Sequence, residues 1–370
     1  MPATFKKLLL ICSEFPPNVG GIGNHAYNLA KALSNEGFEV TVLTNILHEK
    51  DEDVKAFAAK ENFTIHYTKR SSFGIKTYFS RIVSGIRLAK NADKVILSSK
   101  FSLWQAILIR RFFAKKELIA VVHGTELDLK AAIPRKLTFY SLNKCNKIIS
   151  VSTYTQQFLP HSLSSTIQKF IIHNGINLDE FQINEAAKLA GTPALITVGN
   201  ITERKGQENV INALPAIAAK FPAVQYHIVG KPTSKEKIAD AARNLKVENR
   251  VTFYGAISRN DLLQKLEGAT IKLMLSNHTS DGDFEGFGIA VLEANAFGIP
   301  AIGSKSSGIA DAIEHNKTGL LVDQHNTTEV AEAVATIMAN YSSFSANARH
   351  WAVQHDWKMI VKEYVTALNA

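Results

Sequence analysis

The chain has 370 residues, 46% of them hydrophobic, 20% charged and only 10 proline, a balance that excludes disordered, collagen-like and disulfide-scaffold classes. Its two cysteines, Cys12 and Cys145, lie far apart in apolar runs and predict buried reduced thiols rather than a disulfide or a metal site. The net charge of +9 is uneven: residues 1–190 hold 25 Lys/Arg against 15 Asp/Glu, whereas residues 191–370 hold 17 against 18.

Lys6 and Lys7 precede an apolar run at 8–12. An export signal needs about 7–15 apolar residues, so this run reads instead as a first β-strand. No apolar stretch approaches the roughly 20 residues of a membrane-spanning helix. A soluble protein in a reducing, cytoplasmic compartment is expected. Further strands are predicted at 39–44, 94–98, 118–122, 147–151 and 170–172. Ala26, Leu29, Ala30 and Leu33 recur at helical spacing ahead of a C-terminal Gly37. Residues 60–90 show no clear period. The alternation restarts with strands at 194–198, 224–229, 250–253, 271–275, 300–303 and 319–322, separated by helices such as 207–220 and 261–267. Repeated strand–helix alternation is the mark of parallel α/β sheets, and this length favours two domains. The predicted limits are 1–185 with a last helix, 355–370, crossing back, and 186–354.

Residues 69–147 carry 17 basic and 4 acidic side chains, with Lys69-Arg70, Arg110-Arg111 and Lys115-Lys116 close to Trp104, Phe112 and Phe113. Such a face suits an anionic membrane surface or nucleic acid, or is a solvated face that aids solubility. No nucleic-acid-binding motif accompanies the charge, so nucleic acid is not expected as a partner.

Open parallel sheets bind ligands at the carboxyl ends of their strands. After the first strand stands Pro16-Pro17-Asn18-Val19-Gly20-Gly21-Ile22-Gly23, then a helix expected to begin near Asn24. Gly20, Gly21 and Gly23 permit backbone conformations closed to other residues, and the free N–H groups of the helix suit a phosphate or an acceptor. A plain strand–turn–helix connection explains it as well, and the spacing is not that of a dinucleotide fingerprint. His123-Gly124 closes another strand, with a satisfied structural histidine as the alternative to a sugar contact. Arg204 and Lys205, ahead of Gly206, would flank a leaving diphosphate, which needs fixed positive charge. Gly286 and Gly288 open a helix closed by Gly298 and Pro300, placing Glu285 at its positive end and Glu293 two turns on. Asp281-Gly282-Asp283 is expected to shape a loop rather than to bind metal, and zinc spacings are absent.

At these residues the chain resembles the group 1 retaining glycosyltransferases of GT-B fold. The family's Glu-x7-Glu pattern is met by Glu285 and Glu293, its glycine-rich loop by Pro16 to Gly23, and its cleft histidine by His123-Gly124. The resemblance implies two doubly wound, Rossmann-like domains facing a cleft. The first would take a glycan or lipid-linked acceptor, and the second a GDP- or UDP-linked sugar, with no metal or other cofactor. It implies that Glu285 contacts the donor sugar, that Glu293 holds the ribose, and that Lys205 holds the diphosphate. The amides of Phe287, Gly288 and Ile289, beside Gly286, would meet sugar or phosphate, and His123 would act catalytically. The family's usual arginine after the glycine is replaced by Asn200, leaving Arg204 to substitute. The wording around Glu285 looks like mannosyl-transferring relatives and favours GDP-mannose, with UDP-sugars open. The basic, aromatic-bearing first half points to a lipid-linked or membrane-surface acceptor of cell-envelope polysaccharide synthesis, on the inner face of the membrane. A sugar-nucleotide 2-epimerase of the same fold is the first alternative, and a basic nucleic-acid-binding protein the second.

Overall fold

Leu8, Leu9, Leu10 and Ile11 are all buried, as a strand covered on both faces requires, and they occupy the middle of a seven-stranded sheet. A computed structural model describes residues 6–17, 20–46, 51–69, 74–182 and 188–370. Asn18 and Val19 of the glycine-rich loop, Arg70 of the basic face and the expected domain limit at 185 lie outside the described residues.

By internal contacts the chain forms two units, Met1–Gly175 with Trp357–Ala370, and Ile176–Asp356. The first contains β1 (Lys7–Ile11), β2 (Glu39–Ile46), β3 (Thr64–Lys69), β4 (Lys94–Ser98), β5 (Glu117–Val122), β6 (Lys147–Ser150) and β7 (Gln168–Ile171). These strands lie in the order β3-β2-β1-β4-β5-β6-β7, every pair parallel. The second unit contains β8 (Ala194–Val198), β9 (Gln225–Val229), β10 (Val251–Gly255), β11 (Ile271–Met274), β12 (Ala301–Ser304) and β13 (Gly319–Val322). Their order, β10-β9-β8-β11-β12-β13, repeats the same winding in parallel pairs. The doubly wound α/β architecture expected for each half is therefore present twice.

The first unit ends at Gly175, before the expected limit, because Ile176 already pairs with the second: its N–H donates to His355 O at 2.9 Å. The last helix, Trp357–Asn369, returns to the first unit as expected. There Lys94 and Lys147 donate to Leu368 O at its C-terminal end, where the helix dipole favours cations. The two cysteines are free and buried, and burial pushes both thiols up to about 12.

Part of the basic face is spent internally. Arg110 donates to the carbonyls of Lys144, Ala114 and Lys116, and Trp104 Nε1 donates to Thr138 Oγ1 at 3.0 Å. Lys116 caps the Ala92 carbonyl, and Phe113 packs against the core. Arg111, Phe112, Lys115, Lys130, Ile133, Arg135, Lys136 and Tyr140 remain exposed. Among the described residues, no helix is long and apolar enough to cross a membrane.

Candidate active site

The second unit's site grows from the turn that follows β8. Gly199 has φ +145, and a Cβ there would come within 3.1 Å of Lys205 Cε, so the lysine stem lies across bare backbone. The 3-10 turn Glu203–Lys205 ends at Gly206, with φ +67. A Cβ at Gly206 would sit 1.8 Å from Leu275 O, at the end of β11, so only glycine lets the turn seat there. Asn277 fixes the turn further: its N–H donates to Arg204 O and its Nδ2 to Glu203 O, both at 2.9 Å.

This seating delivers Arg204 and Lys205 to the approach of helix Ile289–Ala296. Lys205 Nζ donates to Glu285 Oε2 at 2.7 Å, Arg204 Nη1 donates to the same oxygen, and Arg204 Nε donates to Asp283 Oδ2 at 2.9 Å. Burial pushes the Glu285 carboxyl up, but Lys205 and Arg204 together outweigh it and leave it below the ordinary value. The carboxylate is ionised at neutral pH. Helix Ile289–Ala296 starts after Gly288, whose φ is +96, so Glu285 precedes the first turn rather than sitting on it. It is held there by the side-chain cations of Arg204 and Lys205.

The glycines around Glu285 are packed rather than free. Gly308 N donates to Glu285 O at 2.9 Å, and a Cβ on Gly308 would lie 2.1 Å from Gly286 O. Phe287 is buried, with its ring 6.3 Å from that of His355. Ile289 begins the helix, and the first helical amides have no intrahelical acceptor. Asp281-Gly282-Asp283 closes a loop through Thr279, whose Oγ1 accepts from Asp283 N at 3.1 Å. Asn200, where the arginine was expected, is exposed, and its carbonyl accepts from Gln207 Nε2 at 3.2 Å.

Glu293 is held by a different cation: Arg259 Nη1 donates to its Oε1 at 2.8 Å and Arg259 also reaches Glu180 at 3.4 Å. An unexpected group, Lys272 of β11, feels the charge of both carboxylates. It pairs in register with Ile196 and so faces the side of the sheet where Ile196 packs with Ala294 and Ile299. Lys272 is fully buried and its Nζ has no hydrogen-bond partner. Burial drives it down to about 7, opposed by Glu293 and Glu285 and reinforced by Lys205.

The first unit holds the remaining expected residues. Gly20 caps helix Gly21–Asn35, and both glycines are exposed. A Cβ on Gly21 would meet nothing within 4 Å. His123 is buried at the end of β5, with Nε2 2.9 Å from Ser98 Oγ and its N–H donating to Glu126 Oε1 at 2.6 Å. Its ring stands edge-on to His25 at 4.9 Å, and His25 Nε2 lies 3.0 Å from Tyr364 Oη. Burial lowers His123 to about 4, so the imidazole is neutral at pH 7.

Two family descriptions match in succession: "Glycosyltransferase Family 4" over residues 19–180 and "Glycosyl transferases group 1" over 179–351. The chain belongs to the group 1 glycosyltransferases. A Mycobacterium tuberculosis GDP-mannose-dependent alpha-(1-6)-phosphatidylinositol monomannoside mannosyltransferase is 27% identical, covering 95% of this chain and 94% of its own. Glycogen synthase of the same organism is 24% identical over 93% of this chain and 88% of its own. Among solved structures, Anabaena HepE in complex with UDP and glucose superposes with a TM-score of 0.77 at 18% identity, covering 98% of this chain and 99% of that one. That last likeness speaks for the fold alone, which is that of GT-B glycosyltransferases.

For this glycosyltransferase, Arg204, Lys205 and Glu285 come together in one cluster, Glu293 joins Arg259, and His123, Gly20 and Gly21 belong to the other unit. Sequence reasoning missed Arg259, Lys272, Gly308, Ser98 and His25. Only His25 left a trace, two residues beyond the glycine-rich loop.

Proposed function

We propose that the protein is a retaining hexosyltransferase that takes mannose from GDP-mannose and delivers it to a glycan or lipid-linked acceptor of cell-envelope polysaccharide synthesis. The observation that carries this reading is the Arg204–Lys205–Glu285 cluster at the carboxyl end of β8. Two cations already gathered on one anion are arranged to receive a diphosphate, and they stabilise its charge as it leaves without any metal cofactor. Glu285 then turns its oxygens to hydroxyls of the sugar, Glu293 holds the ribose, and the first amides of helix Ile289–Ala296, with Gly286, Phe287 and Gly288, line the phosphate side. Neutral His123 offers a polar contact and no proton shuttle. The GDP-mannose-dependent relative supports the choice of donor, with UDP-sugars as the second candidates.

A thermal-shift panel of nucleotide-sugars tests the donor. One base and sugar raises the melting temperature, since a ligand bound to the native state stabilises it. Glu293→Ala abolishes that shift. A variant that responds like the natural chain removes the ribose assignment, and conversion of a free nucleotide-sugar without acceptor identifies a 2-epimerase instead.

The exposed Arg111, Phe112, Lys115, Ile133, Arg135 and Lys136 favour peripheral docking on an anionic inner membrane face, in a cytoplasmic protein. Flotation with vesicles containing phosphatidylglycerol shows binding at low salt that fades as salt rises. No flotation at low salt ends the membrane assignment.

A further inference from the structure

The first unit carries a cavity of about 240 Å³ lined by Tyr78, Arg81, Ile82, Phe101, Trp104 and Gln105. Arg81, on helix Gly74–Asn91, is 3% exposed. Its Nη1 donates to Ser13 Oγ at 3.1 Å and its Nη2 to Ser102 Oγ at 2.6 Å, while its buried Nε has no partner. Among the described residues, its hydrogen-bond partners are neutral hydroxyls. A guanidinium withdrawn from water with no carboxylate against it is an expensive arrangement, and folds retain buried charge where something pairs with it.

The position of Arg81 says what that something is for. Ser13 follows β1, and Ser99 and Ser102 follow β4. The chain leaves β1 to build β2 and β3 on one side and returns to build β4 on the other, so β1/β4 is the switch point where open parallel sheets take ligands. The serines are already ordered there: Ser99 Oγ accepts from Ser13 N at 3.1 Å and donates to Ser13 Oγ at 2.7 Å. Ser99 itself holds φ +82, a conformation costly for a non-glycine residue and concentrated at functional sites.

The rest of the cavity is largely aromatic and apolar, with one further polar side chain, Gln105, which is buried and whose Oε1 has no hydrogen-bond partner among the described residues. The Phe101 ring stands 5.1 Å from Tyr78 and 5.1 Å from Trp104, and Lys100 Nζ lies 5.1 Å from the Phe101 centroid. Beside the cavity, the Arg81 helix shows Phe79 and Val83 to solvent, 69% and 48% exposed. A forked cation in the lining, a second cation over the Phe101 ring and an aromatic wall beside exposed apolar surface fit one kind of ligand. It bears a compact oxyanion on an apolar body.

We propose that this cavity is the acceptor subsite and that it takes an amphiphilic phosphate ester, with the phosphate on Arg81 and the apolar body along Tyr78, Phe101 and Trp104. This deepens the transferase reading and rests on it for the word acceptor. The phosphate ester comes from a lipid headgroup or from a free soluble phosphate.

Titration calorimetry of the full chain with n-octyl phosphate, inorganic phosphate and n-octyl glucoside tests it without any donor. Saturable binding of octyl phosphate is expected, at least about tenfold weaker in Arg81→Gln, a loss of about 1.4 kcal/mol. Tyr78→Ala, at a half-exposed position, weakens it without touching the buried cation. Inorganic phosphate and octyl glucoside, each supplying half of the ligand, bind much more weakly. Equal binding of octyl glucoside, or unchanged octyl phosphate affinity in a folded Arg81→Gln and in Tyr78→Ala, overturns the proposal. Vesicles of phosphatidic acid competing with octyl phosphate identify the lipid source, and failure to compete identifies the soluble one. The nucleotide-sugar thermal shift, read on the same preparations, keeps the two failures apart: losing it removes the transferase reading, while losing octyl phosphate binding removes this subsite.

Discussion

Replacing Lys205 by alanine is expected to lower kcat for sugar transfer by about 10²–10³-fold, the usual cost of deleting one preorganised group that answers transition-state charge. Lys205 and Glu285 are each about 15% exposed in their side chains, at 15% and 14%, so their pairing is poorly screened by water. The cation is held over the bare backbone of Gly199 before any substrate arrives, and no reorganisation is needed when the diphosphate begins to leave. Glu285 keeps Arg204 in the variant, so the fold survives and the loss falls on the reaction. Steady-state kinetics with the donor picked out by the thermal-shift panel makes the measurement. A raised KM with unchanged kcat would mean that Lys205 grips the donor equally in ground and transition states, and would remove its catalytic role.

Which parts of this arrangement were legible in the sequence follows from burial. Strands such as β1 and β5 sit inside parallel sheets, and their continuous apolar runs were readable to within a residue or two. Strand β3 was missed because it is an edge: Thr64, Ile65, His66 and Tyr67 are all partly or fully exposed and carry no apolar run. The helix Gly74–Asn91 was missed for a related reason. The helix is amphipathic, but its exposed side carries the large apolar residues Tyr78, Phe79 and Val83 where a polar face is expected.

The site was legible in the residues that follow strands and illegible in their partners. Arg204, Lys205, Glu285 and Glu293 announce themselves by position. That Glu293 is held by Arg259 depends on how two helices pack, and that Glu285 is seated by Gly308 depends on a backbone approach across the sheet's end. Neither leaves a local pattern. Lys272 is the instructive case, because a lysine in the middle of an apolar strand reads as an edge or an error. Here it is a fully buried amine whose charge burial opposes and the carboxylates of Glu293 and Glu285 favour.

The first unit is expected to lose stability as the medium turns acid, through His25 and His123. Burial holds His123 down at about 4, and burial together with the neighbouring His123 ring holds His25 well below its ordinary value. In the unfolded chain both titrate near 6.5. Below about pH 6.5 the unfolded state therefore binds protons that the folded state refuses, and stability falls as pH falls toward 4. For His123 alone the loss at pH 5 is about 2 kcal/mol, from about 1.4 kcal/mol per pH unit. The groups packed around the pair are Ser98, Trp357 and Tyr364, with Glu126 bonded to the His123 backbone. Glu126 works in the opposite sense, because burial raises its carboxyl and the folded state takes up that proton more readily. Two buried histidines act together against this one carboxyl, so the net direction is a loss of stability on acidification. Melting temperatures at pH 7.5 and pH 5 check this, with the drop shrinking in His123→Asn, which keeps a polar group toward Ser98 and cannot take a proton. An equal drop in that variant would assign the acid sensitivity to other groups and leave the buried histidine pair neutral for packing reasons alone.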